Sequence, residues 1–269
     1  MDTNAPQNSD EWQKTTKAVV VTLRRSTSRA ANVQTILKRC PLACEIWDAT
    51  DGAQLDADFV SEVYQPKLHR PNYPFKLRAG EIGCYLSHRN IWQKMVDQSI
   101  DRLLVIEDDV AFLPSFKLAL QHAITEAPDG SYVQFQVRNL RFPQLALDED
   151  CAQLVRPMIA PLRTSAQLVT LGAAKRLLDF SQQFDRPVDA AIQMTWLHGA
   201  EVLVALPHSV IEVSTELGGS TIGSAKKKRS ILGTIQREVK RNWYRRSIAQ
   251  CAKRSSSDVQ PQIILKKSA

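Results

Sequence analysis

Leu103-Leu104-Val105-Ile106-Glu107-Asp108-Asp109 is the stretch on which the fold turns. Four consecutive apolar residues, two of them β-branched, run directly into three carboxylates. An apolar run this short reads as a strand buried on both faces of a sheet. A carboxylate buried without a partner costs on the order of several kcal/mol. The acids must therefore leave the core and sit at the mouth of the sheet, past the strand's carboxyl end, where open α/β sheets bind ligands. Crowded hard oxygen ligands suit a divalent cation, Mg2+ or Mn2+. Taken alone, the same three residues also fit a solvated acidic turn.

Upstream, Lys17-Ala18-Val19-Val20-Val21-Thr22-Leu23 is a β-branched run and a first buried strand. It ends in Arg24-Arg25-Ser26-Thr27-Ser28-Arg29, where Ser26 or Ser28 is placed to cap a helix over residues 30–39. Cationic groups at a strand end beside a helix N-terminus can contact phosphate, and a solvated basic turn is the alternative. Residues 44–49 form a second short strand, closed by the turn Thr50-Asp51-Gly52. Asp48 and Asp51 then reach a ribose or base, or simply bond their own backbone. Residues 53–78, with Pro66, Pro71 and Pro74, read as a long irregular loop.

The next block runs from Leu77 through Gly80-Glu81-Ile82-Gly83-Cys84-Tyr85-Leu86-Ser87-His88 to Val96. Its apolar residues recur at helical spacing, so it is an amphipathic helix with one face on the sheet. Glycine in a helix costs about 1 kcal/mol against alanine. Gly80 and Gly83 therefore point to a close approach by another backbone or a ligand. Beyond the acidic strand come a helix over 116–123, strands over 132–137 and 167–171, and a helix opening at Gly172. Arg186-Pro187-Val188-Asp189 puts one acid after a proline-fixed turn, and residues 200–206 and 210–213 read as the last core strands. Residues 138–163 read as a surface excursion. Strands alternating with helices give an α/β domain with a mixed, mainly parallel central sheet.

The composition bounds this further. Residues 1–16 are polar and aperiodic, read as a disordered leader with no secretory signal. No apolar run is long enough to span a bilayer. Five scattered cysteines show neither zinc nor disulfide spacing and suit a reducing cytoplasm. Residues 224–269 hold 13 Lys+Arg and 2 Asp+Glu, a net +11, against a chain total of +7, so the remainder carries −4. Within this tail Ile231, Ile235, Val239 and Trp243 recur every four residues among basic side chains. That pattern suits a helix lying on an anionic inner-membrane surface, or one docked on the body with its charges solvated. A nucleic-acid arm is not expected, since no stacking platform accompanies the charge.

The blocks Leu23-Arg24-Arg25 with Arg29, Ala49-Thr50-Asp51-Gly52, Gly80 to His88, Val105 to Asp109, Gly172-Ala173-Ala174, Pro187-Val188-Asp189 and Ser220-Thr221-Ile222 together resemble the family 25 glycosyltransferases. This group includes the lipooligosaccharide and collagen galactosyltransferases. The resemblance covers residues 17–223, leaving 224–269 as a basic tail. It implies a GT-A-like, Rossmann-type nucleotide-sugar fold and metal-dependent, inverting transfer from a UDP-sugar, galactose being the expected sugar. The expected acceptor is a hydroxyl of a cell-surface glycan such as lipopolysaccharide core, free or lipid-linked, handled by a cytoplasmic enzyme peripheral to the inner membrane. Leu23, Arg24, Arg29, Asp51, Gly52, Ser87, His88, Glu107 and Asp108 are then the donor-binding residues, and Asp109 with Glu107 the ligands of Mn2+ or Mg2+. Charge building on the leaving diphosphate is what such a cation stabilises. Asp189 is the candidate base for the acceptor hydroxyl, with a helix cap as its alternative role. His208 is read as a surface histidine that could otherwise complete the metal shell. The contrasting possibility is a catalytically inactive relative that keeps the fold as a scaffold.

Overall fold

The structure, a computed structural model, describes residues 12–13, 16–135, 151–217, 231–255 and 262–266. In chain order the elements are β1 (Lys17–Thr22), α1 (Ala30–Arg39), β2 (Cys44–Asp48), α2 (Ala57–Val63), α3 (Ala79–Asp97), β3 (Arg102–Glu107) and β4 (Val110–Phe112). They continue with α4 (Phe116–Glu126), β5 (Ser131–Phe135), β6 (Gln153–Arg156), β7 (Ala166–Thr170), α5 (Leu171–Phe180), α6 (Val188–Ile192) and α7 (Thr195–His198). The last are β8 (Glu201–Leu206), β9 (Val210–Glu212), α8 (Ile231–Ser255) and β10 (Gln262–Lys266).

Eight strands form one sheet in the order β10-β6-β8-β5-β7-β3-β1-β2. Strands β1, β2, β3, β5, β8 and β10 run one way and β6 and β7 the other. The α/β class with a mixed, mainly parallel sheet, read from the sequence, is the architecture observed. Successive residues of β3 alternate between the two faces. Leu104 and Ile106 join the core beneath α1 and α4, while Leu103 and Val105 join the one beneath α3 and α5. All four are at most 2% exposed, and full burial stabilises each by roughly 1.5–3 kcal/mol. The strand is buried on both faces, as its apolar run requires.

Several boundaries differ from expectation. Neither Ser26 nor Ser28 caps α1; a short 3-10 turn, Thr27–Arg29, leads into it and Arg29 is the cap residue. The 53–78 loop contains α2, whose N-cap Asp56 accepts from the amides of Asp58 and Phe59 at 2.9 and 3.2 Å. The 138–163 excursion includes β6, a strand of the main sheet. The strand expected over 210–213 is β9, whose Val210 is buried in the core, but it pairs with β4 in a separate two-stranded ribbon and not in the main sheet. Trp12, placed in the leader, is 7% exposed and packs in the core with Ala18 and Val33. The basic tail is not separate from the domain, because β10 extends the sheet beside β6 and α8 docks on the body. Residues 136–137, 138–150 and the Ser220-Thr221-Ile222 block lie outside the described residues.

The start of α3 explains its glycines. A Cβ on Gly83 would lie 2.5 Å from the carbonyl oxygen of Thr50, and one on Gly52 would lie 1.7 Å from that of Ala79. Two backbones interlock here, so it is another chain segment that the glycines admit. Ser87 closes the contact, accepting from the Thr50 amide and donating to the Gly83 carbonyl, each at 2.8 Å. Gly83→Ala should therefore lower stability by about 1–3 kcal/mol, the usual range for forced overpacking. Urea unfolding monitored by circular dichroism measures it, and an unchanged midpoint would refute the interlock.

Candidate active site

The carboxyl ends of β1, β2 and β3 open on a cavity of about 270 Å3 lined by Thr22, Leu23, Arg25, Arg29, Asp51, Gly52, Ser87, His88, Glu107, Asp108 and Asp109 among others. Nearly all the residues read as donor-binding thus converge. Arg24 does not: its side chain is 87% exposed and pairs with Asp48 at 2.6 Å. Its neighbour Arg25 takes the place at the cavity, holding Asp51 through Nε at 2.5 Å and Nη2 at 3.1 Å. Residues one apart past a strand end face opposite ways, so the arginine pair could not be resolved from the sequence alone.

The three acids separate. Glu107, on the α3 side, accepts from Thr164 Oγ1 at 2.6 Å, and its Oε1 lies 3.9 Å from His88 Nε2. Burial alone would raise its pKa; the His88 ring, Thr164 and Arg29 outweigh that and hold it low. His88 is fixed from behind by Gln167, 3.4 Å from Nδ1. Asp108 turns to the α1 side, where it accepts from Thr22 Oγ1 at 2.6 Å and from the buried Arg29 guanidinium. Both its carboxylate oxygens are occupied, and Asn32 bonds its carbonyl at 2.8 Å, so Asp108 anchors the strand end. Ser87 is likewise committed to backbone contacts. Asp109 keeps a place on the cavity, 3.1 Å from Arg29. Burial and then the charge of Glu107 push its pKa up to about 6, and Arg29 offsets them only in part.

A second, larger cavity of about 900 Å3 adjoins the first, and Glu107 and Cys84 line both. Asp189 stands on it, in the first turn of α6, accepting from the amides of Ala190 at 2.7 Å and Arg163 at 3.2 Å. Burial, helped by the charges of Glu107 and Glu81, raises its pKa despite those two amides. Its wall includes Tyr73, Phe75, Thr164 and four residues of α8 that were not anticipated: Arg241, Tyr244, Arg245 and Ile248. These recur at i, i+3, i+4 and i+7, a visible signal, but the more regular Ile235-Val239-Trp243 spacing stood beside it. His208 lines neither cavity, so a part in a metal shell is not supported.

A hard divalent cation suits the oxygen donors of Asp109 and Glu107, an acid pair that Arg29 does not fully neutralise. Cys84, His88 and Glu107 also bring ligand atoms within 4.8 Å of one another. That trio suits Mn2+ or Mg2+ poorly: burial first, then the negative charges of Glu107, Asp189, Asp109 and Glu81, holds the Cys84 thiol well above its usual range and therefore protonated.

Compared with known proteins, residues 15–192 match the sequence model described as glycosyltransferase family 25 (LPS biosynthesis protein). Procollagen galactosyltransferase 1 of Danio rerio is 36% identical over 124 residues, covering 45% of this chain and 20% of that one. A glycosyltransferase 25 family member of Drosophila pseudoobscura pseudoobscura is 32% identical over 111 residues, covering 40% and 18%. The inactive glycosyltransferase 25 family member 3 of Mus musculus is 30% identical over 110 residues, covering 40% and 19%. The chain spans about a fifth of the length of these curated relatives.

The distinct duties of the acids predict opposite effects on stability. Asp108→Ala removes the main partner of the buried Arg29 guanidinium, leaving Asp109 at 3.1 Å, and the Thr22 contact with it, and should cost about 1–3 kcal/mol. Asp109 titrates higher in the folded chain, at about 6, than its ordinary 3.8. The native state thus holds the extra proton at this group, and Asp109's contribution to stability falls as pH rises from about 4 to 6. Asp109→Asn lacks that fall and should be the more stable protein at pH 7. Urea titrations across pH 4–7 check both signs; an Asp109→Asn protein weaker than wild type at pH 7 would contradict the assignment.

Proposed function

Since the chain belongs to glycosyltransferase family 25, we propose that it transfers a sugar from a UDP-sugar to a hydroxyl of a glycan acceptor, with inversion at the anomeric carbon. The observation that carries this reading is the pair of cavities meeting at Glu107, one bearing Asp109 and the other Asp189. The smaller cavity, at the ends of parallel strands, is the donor side. There Arg25 and Asp51, an exposed ion pair, can part to admit a charged ligand at little cost. Asp109 and Glu107 would hold Mn2+ or Mg2+, which when bound supplies Lewis-acid stabilisation of the charge on the departing diphosphate. Galactose as the transferred sugar is favoured by the galactosyltransferase relative of Danio rerio.

In the larger cavity Asp189 is the base. The acceptor oxygen bonds to the anomeric carbon from the face opposite the bond to UDP, that bond breaks with its electrons on the phosphate, and Asp189 takes the hydroxyl proton. A raised pKa suits this task, since a more basic carboxylate draws the proton more strongly. Its two amide contacts hold the carboxylate in place. A lipopolysaccharide core or another lipid-linked glycan fits as acceptor because α8 leaves Ile235, Val239 and Trp243 54%, 62% and 61% exposed among basic residues. Such a face suits the anionic inner surface of a bacterial membrane. Among the described residues no helix is long and apolar enough to cross one.

A second reading, a scaffold without activity, draws on the mouse relative named as inactive. Release of UDP from UDP-galactose with Mn2+ separates the two. Wild type should turn over, EDTA should stop it, and Asp109→Ala should lower the rate at least about 100-fold, the scale of a lost charge-stabilising group. Asp189→Asn should lose about 100-fold or more in transfer, as expected of a missing general base, yet still bind UDP. Full activity in either variant would sink its assigned role.

The membrane contact is tested separately. Wild type should pellet with liposomes containing anionic lipid and not with neutral ones, and Val239→Ser with Trp243→Ser should weaken pelleting several-fold. Equal pelleting of the double variant would remove the membrane surface as partner.

A further inference from the structure

We propose that the acceptor carries an oxyanion, a phosphate or a sugar carboxylate, and that Arg245 and Arg241 of α8 bind it across the cavity from Asp189. This rests on the transferase reading above and names the chemical class of its acceptor.

The larger cavity is charged unevenly. Glu81, Glu107 and Asp189 belong to α3, β3 and α6, whereas Arg241 and Arg245 enter from α8. The remaining lining arginine, Arg163, is tied to Glu212, and Arg241 has an exposed partner in Glu238. Arg245 has no ion-pair partner among the described residues. A carboxylate wall repels an anionic ligand, while guanidinium groups bind phosphate and carboxylate through paired N–H donors. A ligand that fills the space thus turns its anionic end to α8 and a neutral, hydroxyl-bearing part to Asp189. At about 900 Å3 the cavity is near the top of the usual range for ligand sites, roughly 300–1,000 Å3, with room for more than one sugar.

The helix behind the arginines is fixed in place. Tyr244 and Ile248, from the same helix face, are buried against Met194. The Tyr244 hydroxyl accepts from Arg186 Nη1 at 2.9 Å, and its ring meets Tyr73 edge-on at 5.3 Å. Arg186 is held in turn by Asp185 and by the carbonyls of His69 and Pro71. The helix that brings the two arginines is therefore held on the body by a buried network, while the Arg245 side chain itself is exposed and open to a ligand.

Calorimetric binding of three probes with UDP and Mn2+ present tests this: methyl galactoside, its 6-phosphate and the matching galacturonide. The charged probes should bind at least tenfold more tightly than the neutral sugar. Arg245→Gln should abolish that advantage, Arg241→Gln should reduce it, and Arg245→Lys should keep much of it. The phosphate and carboxylate arms identify which oxyanion is preferred. Equal binding of charged and neutral probes, no binding of any probe, or a preference untouched by Arg245→Gln would overturn the proposal. Hydrolysis of UDP-galactose by wild type, run alongside, reports on the transferase reading by itself. Its absence would sink that reading, while intact hydrolysis without a charge preference would sink only this one.

Discussion

A strand buried on both faces that ends in three carboxylates must dispose of three charges within one turn of chain, and the active end of this protein follows from how it does so. Glu107 falls on the α3 side and finds Thr164 and His88. Asp108 falls on the α1 side and meets Arg29, whose guanidinium is buried for that purpose. A buried pair of this kind seldom stabilises more than a well-packed apolar pair would, but losing one partner is costly. It acts as a registration device: it fixes where α1 begins, lets Asn32 tie the turn carbonyls, and leaves Asp109 as the acid whose charge is least neutralised. Under the proposed function, the residue assigned to the cation is the one the fold leaves incompletely paired.

The same logic explains which features were legible beforehand. Hydrophobic period fixed by burial is loud: the β-branched run of β1, the apolar run of β3 and the limits of α1 all emerge from it. The position of the acids at the sheet mouth followed from desolvation alone. What stayed hidden depends on partners far away in sequence. Strands β6 and β10 lie at one edge of the sheet, and their pairing depends on residues about a hundred positions apart. Helix α2 was masked by the prolines after it, although Asp56 capped by Asp58 and Phe59 amides is an ordinary start signal. Arg24 and Arg25 are indistinguishable as letters, and only the path of the chain past Leu23 decides which faces the cavity.

The C-terminal helix shows why one amphipathic pattern can conceal another. Ile235, Val239 and Trp243 advance by four residues and draw the eye, yet they face away from the body. Tyr244, Ile248 and Ala252 also advance by four, and these are the buried ones. A helix with two apolar stripes offset by one residue, about 100° around its axis, has two surfaces to satisfy, and the body covers one. The outer stripe stays 54–62% exposed among basic residues, the feature on which the proposed membrane contact rests.

The two cavities draw their walls from different parts of the chain. Every residue that lines the smaller one falls within residues 15–192, the span that matches the family. Part of the larger one is walled by α8, outside that span. Changes in α8 can thus alter what the larger cavity accepts without touching Asp109 or Asp108. Cys84, like Glu107, lines both cavities, and it does so under the influence of four carboxylates. Another acid there would add repulsion, and a base would compete with any cation for Glu107 and Asp109. A thiol held neutral does neither, so a small uncharged residue stands where the two cavities share a wall.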